Sequence, residues 1–62
     1  MDEIAYARYI QRGRKADEIY RTIRELYGYD VPWNKAYFMA IKEKLLNAEE
    51  KNLVKEFHAI KF

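Results

Sequence analysis

Three residues punctuate this chain as expected helix boundaries: Gly13, Gly28 and Pro32. Between them, apolar residues recur at three- and four-residue steps, the spacing of a helix face. The spacing predicts a first helix from Asp2 to about Arg12, with Ile4, Ala7 and Ile10 on its stripe and Tyr6 and Tyr9 beside it. Asp2 and Glu3 suit the positive end of its dipole, and Gly13 reads as its exit residue. A second helix is predicted from Ala16 to Tyr27, where Ile19, Tyr20, Ile23, Leu26 and Tyr27 form one stripe. Asp17 and Glu18 fill its first turn, and Gly28 follows its last. Val31 precedes a proline and so avoids the α region. A third helix therefore opens at Pro32, or with Asn34 as its cap, and runs to about Leu46, with Tyr37, Ala40, Ile41 and Leu45 on one stripe.

The tail "NAEEKNLVKEFHAIKF" has two readings. Asn47 followed by Glu50 is a capping-box pattern, and Leu53, Phe57 and Ile60, with Val54, keep a helical spacing. The alternative is a hairpin of "NLVKEF" with "IKF", turning at His58-Ala59, which is poor turn chemistry. The expected architecture is thus all-α: a small three-helix domain, its second and third helices arranged like a helix-turn-helix, with a C-terminal fourth helix. A winged helix with a short C-terminal β-hairpin is the alternative.

Sixty-two residues make one domain, expected to span residues 1–62 as a single compact helical unit. A chain this short hides only about 60% of its unfolded surface. Its net stability should be roughly 3–5 kcal/mol. Cysteine is absent and His58 is the only histidine, so no thiolate or multi-histidine metal site is expected, and no cofactor. No long apolar run is present to cross a membrane. The opening "MDEI" is acidic where a secretory signal is basic, so the default expectation is a cytoplasmic protein.

Enzyme signals are nearly absent. There is no serine, and Thr22 is the only hydroxyl besides the tyrosines. The carboxylate pairs Asp2/Glu3, Asp17/Glu18 and Glu49/Glu50 each begin a predicted helix, so dipole and capping service explains them. Two glycines cannot form a phosphate-cradling loop. A non-enzymatic binding module is expected.

Charge distribution suggests a partner. The net charge is only +2, but Arg8, Arg12, Arg14 and Lys15 fall in a stretch from Ala5 to Ala16 that holds no acid. Such a patch can contact phosphates. Arg12-Gly13-Arg14 resembles the centre of an AT-hook, without the proline that follows there. The helix-turn-helix-like segment would offer Asn34, Lys35 and Lys42 to a groove, since Asn reads adenine and Lys reaches guanine or phosphate. "GYDV" (Gly28 to Val31), then Asn34, Phe38, Ile41 and Leu45, resembles the turn and third helix of linker-histone-type winged-helix domains. That resemblance implies DNA binding and makes "LVKEF" the first wing strand. The chain departs from that family in lacking a glycine between third helix and wing, a basic tail and more than one proper turn signal. Duplex DNA is accordingly the first expected partner.

The second expected partner is a protein. Six tyrosines, one tryptophan and three phenylalanines exceed what one small core takes up. Tyr29, Trp33 and Tyr37 are the candidate interface residues, because exposed Tyr and Trp beside Arg are the usual anchors of protein interfaces.

Overall fold

The computed structural model describes residues 2–59. It holds three helices: α1 (Glu3–Tyr27), α2 (Trp33–Lys42) and α3 (Ala48–Phe57). No strand occurs among the described residues.

The expected first and second helices are one. α1 runs for 25 residues straight through Gly13. Asp2 caps it, its Oδ1 accepting from the Ile4 amide at 3.0 Å. Gly28 ends it at φ 99°, its N–H donating to the Arg24 carbonyl at 2.8 Å. A mid-helix glycine costs about 1 kcal/mol relative to alanine, so something must offset it. A Cβ on Gly13 would lie 3.2 Å from Cε1 of Phe57. Gly13 is therefore where the Phe57 ring of α3 packs close against α1, not an exit. An AT-hook needs extended backbone at Arg12-Gly13-Arg14, and the helix excludes it.

The C-terminal helix exists, as the third helix and not a fourth. The Asn47 side chain accepts from the Glu50 amide at 2.8 Å and the Glu50 carboxylate from the Asn47 amide at 3.0 Å. That capping box opens α3. Leu53 and Val54 on its inner face are buried. The winged-helix alternative is overturned, because its first strand, Leu53 to Phe57, is helical. Its second strand, Ile60 to Phe62, lies outside the described residues.

α2 differs from expectation at both ends. Its N-cap is Pro32, with no side-chain cap, so Asn34 sits inside the first turn. Its C-terminus is Lys42 rather than Leu46. The Leu45 amide donates to the Ala40 carbonyl and the Lys44 amide to that of Ile41, both at 3.0 Å. Lys44 takes φ 59°. This is a Schellman ending, built on a lysine where glycine is usual.

Both short helices pack on α1. Twenty-five residues of helix span about 37 Å at 1.5 Å per residue. The molecule measures 38 × 21 × 21 Å, so α1 sets its length. The buried cluster is Ile23, Ala36, Tyr37, Ala40, Leu46 and Val54, with Ile19, Tyr27, Val31, Trp33 and Ile41 packed against it. α2 and α3 are too short to cover all of α1. Residues 2–9, the cap and first turns of α1, are exposed throughout. Ile4, Leu26 and Leu45, core residues by spacing alone, are 63%, 57% and 48% exposed.

Candidate interaction surface

The continuity of α1 redistributes the basic run. Arg8, Arg12 and Lys15 follow one another at steps of four and three, so they share a flank. Arg14 lies two residues from Arg12, about 160° around the axis. The four cations do not form one patch. Arg12 is also engaged: its guanidinium meets the Glu56 carboxylate at 2.5 and 3.4 Å. Both side chains are about half exposed, so the pair contributes little stability, on the order of 0–1 kcal/mol. It nonetheless occupies a donor fork that a phosphate would need. On α2, Lys35 and Lys42 are exposed and Asn34 is half-buried.

The aromatic candidates separate in the same way. Tyr37 is 2% exposed and belongs to the core. Burial holds its hydroxyl above the ordinary tyrosine value, and that hydroxyl meets no hydrogen-bond partner among the described residues. Trp33 is half-buried and stands edge-on to Tyr20, ring centroids 4.5 Å apart. The His58 ring stacks on Tyr20 at 4.3 Å. The Trp33 indole N–H donates to the His58 carbonyl at 3.2 Å. Arg24 lies over the Tyr20 and Trp33 rings at 5.3 and 5.6 Å. Its guanidinium donates to the Tyr20 hydroxyl and to the Val31 carbonyl. Asp17 faces His58 Nε2 at 2.7 Å. This cluster joins α1, the start of α2 and the end of α3. It packs the three helices together and leaves Trp33 half-buried. Of the three aromatic candidates Tyr29, 68% exposed, is the one that stands fully on the surface.

What the structure assembles instead is a groove of about 430 Å³ between the second half of α1 and the α2–α3 turn. Ile19 and Leu26 of α1 form one wall, and Leu45 and Leu46 the other. Lys15, Glu18 and Glu50 are its charged groups. Sequence periodicity misses it because it assigns Leu26 and Leu45 to the core. The signal lies in counting through Gly13 without a break. Ile4, Ile19 and Leu26 then fall on one side of a single helix, and Ala16 and Ile23 on another.

At the bottom of α1, the Tyr27 hydroxyl donates to Glu43 at 2.8 Å. Desolvation, then this hydrogen bond and the Glu43 charge, hold Tyr27 above its ordinary value. No group of three or more His, Asp or Glu able to hold a metal occurs among the described residues. No helix among them is long and apolar enough to cross a membrane.

Compared with family models, curated proteins and solved structures, the chain gives no significant match to any of them.

Proposed function

We propose that this chain is a non-enzymatic protein-binding module whose groove takes an amphipathic helix with basic flanking residues. The exposure of Leu26 and Leu45 on facing walls carries the proposal. Large apolar side chains left in water around a groove mark a surface that gains by being covered. Two carboxylates, Glu18 and Glu50, against the single cation Lys15 favour a basic occupant. A helix laid into such a groove reads it through residues three and four apart.

The test is to pan a displayed library of helical peptides against the immobilised chain. Enriched peptides should carry an apolar stripe with flanking Arg or Lys. They should lose binding to Leu26→Lys, which inserts a cation into the groove, and keep binding to Tyr29→Ala. No enrichment, or peptides indifferent to Leu26→Lys, would overturn the reading.

A second reading keeps duplex DNA as the partner, because Lys35 and Lys42, seven residues apart on α2, are both exposed and share a face. The helix-turn-helix-like use of α2 belongs to this reading, with Arg8, Arg14 and Lys15 as outlying phosphate contacts. Its affinity should fall with log salt at a slope of about −0.9 per neutralised phosphate. Binding to mixed-sequence duplex that is absent at low salt, or insensitive to salt, would remove it.

A further inference from the structure

We infer that the groove is filled by the first turns of α1 from a second copy of this chain, in an antiparallel α1–α1 dimer. The inference rests on the protein-binding reading of the groove and names its occupant.

The stripe from Ile4 through Arg8, Gln11, Lys15, Ile19 and Thr22 to Leu26 advances by steps of four and three, so it is one face of α1 along its whole length. Every one of these residues is exposed except Ile19, which is half-buried. The lower half of this face, from Lys15 to Leu26, is walled by the α2–α3 turn and forms the groove. The upper half overhangs, because α2 and α3 leave residues 2–9 exposed. One half of the face is a groove and the other an uncovered helix, and each has what the other lacks.

A twofold axis at Lys15 brings the two halves together. Ile4 falls opposite the partner's Leu26, Arg8 opposite the partner's Thr22 and Gln11 opposite the partner's Ile19. The most exposed large aliphatic residue of α1, Ile4 at 63%, thus covers the exposed Leu26, at 57%, twice over. Such an interface is isologous and closes on itself, so the dimer does not polymerise.

Charge selects the same direction. The overhang brings Arg8 from a stretch without acids, and the groove offers Glu18 and Glu50. Lys15 meets its own copy at the axis, but each Lys15 lies one helical turn from the partner's Glu18. That reciprocal pairing offsets the repulsion. A parallel arrangement would set Arg8 beside Arg8 and leave both grooves empty.

The experiment uses sedimentation velocity and single-cysteine cross-linking, which are clean because the chain has no cysteine. The parent should shift from monomer to twice the monomer mass as concentration rises. Leu26→Lys should remain monomeric with an unchanged helical circular dichroism spectrum. Under mild oxidation Lys15→Cys should link to itself nearly completely. Gln11→Cys should not, because the two copies of residue 11 would lie about 12 Å apart along the axis, beyond disulfide reach. A parent that stays monomeric at millimolar concentration, or a dimer that links at residue 11 and not at residue 15, would overturn the inference. If the parent is monomeric but still selects peptides that need Leu26, the second copy fails and the protein-binding reading stands. A covalent dimer of the Lys15→Cys variant that selects no peptide would support the inference, since each groove is then filled by the other copy.

Discussion

Tyr37 shows how tightly this small core is specified. Its ring is buried, 6.0 Å from Trp33 and 5.8 Å from Phe38 between centroids. Its hydroxyl is buried with it and meets no partner among the described residues. A buried unsatisfied hydroxyl costs about 1–3 kcal/mol. Tyr37→Phe keeps the ring and removes the cost, so it should stabilise the chain by about 1 kcal/mol. For so small a domain that raises the thermal midpoint by several degrees. Thermal unfolding followed by circular dichroism measures it, and a lowered midpoint would mean that the hydroxyl is hydrogen-bonded. Trp33 and His58 make the opposite point. Each places a polar atom against a partner, the indole N–H on the His58 carbonyl and the imidazole Nε2 on Asp17.

At the scale of elements, α1 and α3 are matched to each other at Gly13. The missing Cβ lets the Phe57 ring lie against the helix backbone, and Tyr9 packs on the same ring at 5.3 Å. Gly13→Ala gains about 1 kcal/mol of helix propensity and loses a comparable amount where its Cβ meets Phe57, so it should be nearly neutral. Gly13→Leu cannot fit without moving the ring and the neighbouring Arg12–Glu56 pair. It should destabilise by about 1–3 kcal/mol, the usual cost of overpacking. Urea unfolding of both variants decides it. A loss as large for alanine as for leucine would indicate a helix break at Gly13, with two helices in place of α1.

At the scale of the molecule, closeness replaces bulk. Ala16, Ala36 and Ala40 are fully buried, so helix backbones approach one another where larger domains would place large side chains. Tyrosine ionisation then acts against the fold. Tyr27 and Tyr37 are held above the ordinary value, Tyr37 by burial and Tyr27 by desolvation and Glu43. A folded value above the unfolded one means that the neutral form is favoured in the fold. The stability from this source is fully present below about pH 10, the unfolded value, and is lost as pH rises through the folded values. Helical circular dichroism should therefore fall above about pH 10, as the last tyrosines ionise in an ultraviolet titration. If all six tyrosines titrated together with helicity intact, these two would not be held in the fold.

The sequence by itself determined that the chain is helical, that α1 ends at Gly28 and that Asn47 and Glu50 open the last helix. These are local matters: a positive φ, a proline's missing N–H and a capping box act within one turn. Tertiary structure alone decided whether Gly13 breaks a helix or receives a ring, because that depends on Phe57, far along the chain. It also decided that α2 ends at a left-handed Lys44, where two backbone hydrogen bonds close the turn without a glycine. The candidate sites follow the same division. Spacing identified Arg8, Arg12, Arg14 and Lys15 as a basic run, but only the unbroken helix separates Arg14 from the others and joins Arg12 to Glu56. Periodicity marks Ile4, Leu26 and Leu45 as apolar positions on helices. Which of them the molecule covers depends on the lengths of α2 and α3 against that of α1, and two ten-residue helices cannot cover a helix of twenty-five.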